Sequence, residues 1–114
     1  MRVYGKVGSP VTLHCKNVTR GRFLNVIWVT NAHSQTKYTA FRYNRDGQVY
    51  IHPEFQNRIK RVNGTSIQLV NSRIRDSGDW ECNLIYTYSD EDGSRKRVHD
   101  THYDVQVVSK SLFC

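Results

Sequence analysis

Residues 75–84 read RDSGDWECNL. Asp76 and Gly78 precede a tryptophan and a cysteine two positions apart, Trp80 and Cys82, and apolar residues then alternate again from Leu84. Gly78 permits a tight backbone path, after which the chain enters a strand with Cys82 and Leu84 on one face. Upstream, Val11, Leu13 and Cys15 alternate with Thr12, His14 and Lys16, which predicts a strand with its apolar face inward. Cys15 and Cys82 stand 67 positions apart, each on an inward site, so the pair can clamp two sheets face to face. Closing a loop of that length is worth roughly 4 kcal/mol in loop-closure theory. Trp28 lies on the strand after Cys15, where it can pack against such a bridge.

Period-two patterning runs through the rest of the chain, and no segment sustains an apolar stripe at helical spacing. Residues 24–30 (LNVIWVT) form the near-continuous β-branched and aromatic run of a central strand. Residues 37–43 (KYTAFRY) form a second, closed by the turn former Asn44-Arg45-Asp46-Gly47. QVYIH (48–52) stops at Pro53, which suits an edge strand. Asn63-Gly64 separates RIKRV (58–62) from SIQLV (66–70) and signals a hairpin. WECNLIYTY (80–88) and a strand from about Lys96 to Val108 flank a polar turn over 89–94. With a strand in the opening residues, about nine short strands and no helix are predicted. The fold class is all-β, an antiparallel sandwich or barrel.

The chain has 114 residues, enough for one domain with a modest core. Residues 1–109 are expected to form that domain, and 110–114 to begin a stalk or linker. No run is long and apolar enough to span a membrane, and no secretory apolar core stands at the start. Met1 leads straight into a strand, as in a chain that starts at a mature domain with its export signal removed. The 17 Lys and Arg outnumber 10 Asp and Glu but are spread over nearly every segment, with no nucleic-acid motif. Nucleic acid is therefore not an expected partner; an acidic protein, an anionic glycan and a simply solvated basic surface stay open. Cys15, Cys82 and Cys114 make no CxxC, and His99 and His102 on one strand point to opposite faces. No metal or other cofactor is expected. Sequons at Asn17-Val18-Thr19 and Asn63-Gly64-Thr65, taken with a disulfide, favour an extracellular glycoprotein.

Cys15, Trp28 and the D-x-G-x-W-x-C of residues 76–82 resemble an immunoglobulin domain, over essentially residues 3–108. The resemblance implies a Cys15–Cys82 disulfide covered by Trp28, a two-sheet sandwich, and an ion pair between Arg58 and the corner aspartate Asp76. The interval between Trp28 and Cys82 has room for the extra strand pair of the variable (V-set) type. One departure is Trp80, which replaces the tyrosine whose hydroxyl usually anchors the corner; its indole N–H can substitute as donor, or packing can hold the corner. Another is THYDVQVV (101–108), which stands where rearranged antigen receptors carry a Phe-Gly-x-Gly bulge. The chain thus resembles germline-encoded V-set receptor and adhesion domains. GSPVTLHC (8–15) and NGTSIQLVNSRIRDSG (63–78) are similar to the myelin protein zero type. FRYNRDGQVYIHPEFQNRI (41–59) is similar to butyrophilin-like and costimulatory ligands and to V-set receptors of fish.

No nucleophile elbow, zinc-protease helix or phosphate-cradling glycine loop occurs, so recognition rather than catalysis is expected. If Trp28, Cys82 and Leu84 face the core, then Ile27, Val29, Asn83 and Ile85 point outward on neighbouring strands. Together with Phe41, Tyr43, Tyr88, Arg95 and Arg97 they form the expected protein-binding face, on the sheet the resemblance also implies. The hairpin tip adds Tyr86, an acidic triplet at 90–92 and a basic triplet at 95–97. RIKRV is a basic strand for an alternative, sulfated-glycan reading. Cys114 is the odd thiol, with an interchain disulfide, a missing domain or an open end as its fates. The expected whole is the ectodomain of a single-pass, membrane-anchored cell-surface protein that binds another such protein or itself as a dimer.

Overall fold

The computed structural model describes residues 1–16, 22–62, 64–91 and 93–109. Its strands are β1 (Arg2–Lys6), β2 (Val11–Leu13), β3 (Arg22–Thr30), β4 (Tyr38–Asn44), β5 (Val49–Ile51), β6 (Ile59–Val62), β7 (Ser66–Leu69), β8 (Gly78–Asp90) and β9 (Gly93–Val108). They follow the alternating segments of the sequence, except that residues 89–90 and 93–94 of the expected polar turn are drawn into β8 and β9. Helical structure among the described residues is confined to two single 3-10 turns, Pro53–Phe55 and Ile74–Asp76. The first begins on the proline that ends β5, whose fixed φ suits a helical first turn.

Two sheets stack. One has the order β1-β9-β8-β3-β4-β5 and the other β2-β7-β6. All ladders are antiparallel except β1 on β9. Variable-type sandwiches add two strands to the larger sheet, and β4 and β5 are that pair. The inward residues named from the sequence, Val11, Leu13, Cys15, Trp28, Cys82 and Leu84, are all buried in the core between the sheets. Cys15 and Cys82 are joined across it, with Cα atoms 6.1 Å apart. Trp28 is the direct cross-strand neighbour of Cys82 and its indole donates to the carbonyl of Thr65 at 3.1 Å.

The corner before Cys82 is a single polar network in an apolar setting. Asp76 is fully buried and pairs with the Arg58 guanidinium, and its Oδ2 also accepts the Arg73 N–H at 2.9 Å. Arg58 Nη1 donates to the Glu54 carbonyl at 2.9 Å. Trp80 supplies the donor that its lost phenol would have given: its indole N–H reaches the Asp76 carbonyl at 2.9 Å. Its ring packs edge-on against Phe55, 5.3 Å between centroids. Gly78 has φ +144, and a Cβ there would meet Asn31 Oδ1 at 2.6 Å. That oxygen accepts the Asp79 N–H at 2.8 Å, so only glycine lets the chain pass.

Candidate functional site

The outward face of the larger sheet is a grid set by register. In an antiparallel pair, directly opposed residues project to the same side. One row runs Tyr50, Arg42, Ile27, Asn83, Asp100 across β5, β4, β3, β8 and β9. A second runs Asn44, Asn25, Ile85, Val98, and a third Thr39, Val29, Glu81, His102. Ile27, Val29 and Ile85 are half-buried by their neighbours, whereas Val98 is 63% exposed. Ile27 lies diagonally from Ile85, within side-chain reach, and Val98 directly beside it. The four make an apolar strip across three strands.

Charge rims that strip. Glu81 receives Lys37 Nζ at 3.3 Å on Oε2, with His102 Nε2 at 3.7 Å from Oε1. With its amide nitrogen turned to the carboxylates, Asn83 donates to Glu81 Oε1 at 2.9 Å and Asp100 Oδ1 at 2.7 Å. Further along, the Gln106 amide and then Arg2 hold the Asp104 carboxyl below its ordinary value. On the opposite flank, Tyr38, Thr39, Arg42, Tyr50 and His52 line a shallow hollow of about 330 Å³. Burial, and secondarily Glu54, raises the Tyr38 phenol, which donates to the Ala32 carbonyl at 2.6 Å. The face has an apolar centre and polar flanks.

The expected face needs correction in part. Ile27, Val29, Asn83 and Ile85 do project outward, but Phe41 is buried in the core. Tyr43 stands opposite the buried Val26 and packs against the core, its ring 3.9 Å from the Arg61 guanidinium. A bulge explains both. The β3–β4 register slips between Trp28 and Val29, so Ala40 is an extra residue and the strand turns over there. Thr39 faces out before it; after it, Phe41 and Tyr43 face in and Arg42 faces out. Arg95 and Arg97 oppose Tyr88 and Tyr86, on the other side of the hairpin from Ile85, and so do not belong to the strip. Tyr86 packs against the core rather than standing as an anchor.

The basic strand RIKRV does not present its cations together: Arg58 is in the buried ion pair, Arg61 lies over Tyr43, and Lys60 is exposed on the smaller sheet. His99 opposes Leu84 and His102 opposes Glu81, on opposite faces as parity requires. The side chain of Tyr88, the sequon residues Asn17 and Asn63, Asp92 of the acidic triplet, and Cys114 lie outside the described residues. Val98, Arg42, Thr39 and Tyr50 join the face without having been singled out. For Val98 the signal was present: a hairpin centred on the polar turn sets it opposite Ile85.

No protein-family model matches this sequence, and no curated protein does. Among solved structures, the V domain of amphioxus IgVJ-C2 superposes with a TM-score of 0.69 at 17% identity, covering 92% of this chain and 98% of that one. The amphioxus IgVJ-C2 molecule gives the same score and identity, with 92% of this chain and 54% of that one covered. The fold is that of an immunoglobulin V domain. At this identity the likeness establishes architecture, which is what the sheet order and the covered disulfide already describe. A V domain with a buried disulfide fits an extracellular setting. Among the described residues no helix is long and apolar enough to cross a membrane.

Proposed function

We propose that this V domain is the extracellular recognition module of a single-pass cell-surface protein in adhesion or immune signalling, of the germline-encoded kind to which its sequence is similar. It binds a protein on another cell through the outward face of the larger sheet. The observation that carries this is the strip Ile27, Val29, Ile85 and Val98, apolar and solvent-facing, rimmed by Lys37, Glu81, Asp100 and Arg42. Apolar side chains at the centre with charges at the margin match the anatomy of specific protein interfaces.

The test uses the domain as a soluble multimer, stained onto a panel of cell types, with Ile85→Arg and the turn variant Arg45→Glu beside the wild type. Ile85→Arg is expected to weaken binding at least about tenfold, as loss of a central anchor does. Its melting temperature should stay close to that of the wild type, because a long side chain at a half-buried outward position can lift its charge into water. Arg45→Glu should bind normally. Undiminished binding by Ile85→Arg would show that the face is wrong.

A further inference from the structure

The β8–β9 hairpin outruns its neighbours. β1 pairs with β9 only from Asp104 to Val108, so among the described residues no strand lies beside Gly93–Tyr103 on the side away from β8. Asp104 N–H donates to the Met1 carbonyl and the His102 carbonyl accepts the Met1 amine, which shows that even-numbered residues of β9 aim their backbone groups off this edge. The β8–β9 ladder has no register shift, so the alternation holds along the strand. Lys96, Val98 and Asp100 therefore point N–H and C=O away from β8, where no described residue bonds them, with their side chains on the outward face. An edge of this length and extension is a template for another strand.

We propose that a second copy of this chain pairs with that edge, antiparallel and centred on Val98, joining two larger sheets into one. Two independent features select this register. Val98 is the midpoint of Gly93–Tyr103, so pairing there spans the stretch that β1 leaves, short of the His102 carbonyl that already accepts the Met1 amine. The charges also agree: Lys96 falls opposite Asp100 of the partner subunit, Asp100 opposite the partner's Lys96, and Val98 opposite the partner's Val98. Even-numbered residues of the two copies then face each other as hydrogen-bonded pairs, the geometry that the outward-aimed groups require. Centring on Arg97 would instead oppose two guanidinium groups, and centring on Asp100 two carboxylates. The joined sheet leaves the strip around Ile85 open and doubles it side by side, so this pairing is separate from ligand recognition.

Sedimentation velocity over a concentration series tests it, with Cys114→Ser in every sample so that no interchain disulfide interferes. The wild type should show a reversible monomer–dimer equilibrium. Lys96→Asp alone and Asp100→Lys alone each place like charges opposite one another twice, and each should raise the dissociation constant by roughly tenfold or more. The double variant Lys96→Asp/Asp100→Lys restores the opposed charges and should restore the dimer, which a misfolded variant could not do. Ile85→Arg should dimerise as the wild type does. A wild type that stays monomeric into the millimolar range, a dimer indifferent to both single changes, or a double variant that fails to recover would each overturn the proposal.

Discussion

Trp80 shows how one residue can break a motif and keep its physics. The usual phenol at this corner donates one hydrogen bond, and the indole donates one from a different place to the Asp76 carbonyl. That acceptor belongs to a fully buried residue, so losing the donor leaves its carbonyl without this bond. Trp80→Phe is expected to cost about 1–3 kcal/mol for that reason, with a further loss from the smaller ring. Trp80→Tyr should recover part of it. Denaturant midpoints of the three proteins check this; equal stability of the wild type and Trp80→Phe would mean packing alone holds the corner. The disulfide cysteines and Trp28 were legible from their places on alternating strands, and the Arg58–Asp76 pair through the resemblance to variable-type domains. Whether the indole would serve as a donor was not, since that depends on the distance to a carbonyl that only the folded corner fixes.

At the level of strands, alternation in the sequence located β2 to β9 but neither 3-10 turn, and it located the outward face on β3 and β8. It failed on β4. A single inserted residue, Ala40, reverses parity within one strand, and nothing in KYTAFRY marks it. Extrapolating outward from Thr39 leads to Phe41 and Tyr43, which the bulge turns inward. Tyr103 is a second element-level feature: from β9 its hydroxyl donates to the His14 carbonyl at 2.6 Å, pinning the larger sheet to the segment after β2. Burial raises its phenol above the ordinary 10.0. The unfolded phenol ionises at the ordinary value, so this contribution to stability is fully present below about pH 10 and is lost as pH rises through the folded value. Tyr103→Phe removes the titrating group, and its stability should fall less steeply between about pH 9 and 11 than that of the wild type. Parallel urea titrations measure this; identical slopes would show that Tyr103 does not titrate differently in the fold.

For the whole molecule, one covalent link orders the rest. The Cys15–Cys82 bridge sets Cys82 inward, its register partner Trp28 inward with it, and so Ile27, Val29, Asn83 and Ile85 outward. The face is a consequence of that parity, whereas the projecting β9 edge comes from strand length. Sequence alone reached the first through alternation on two strands. The second needed the lengths of neighbouring strands, which are set by where β1 and β3 stop pairing rather than by any pattern in β9 itself. Mass spectrometry of the folded protein, alkylated without reductant and then digested, tests the parity at its source. Cys15 and Cys82 should both escape alkylation and appear in one linked peptide pair that separates on reduction. An alkylated Cys15 or Cys82 in the native protein, or either one linked to Cys114, would contradict the account.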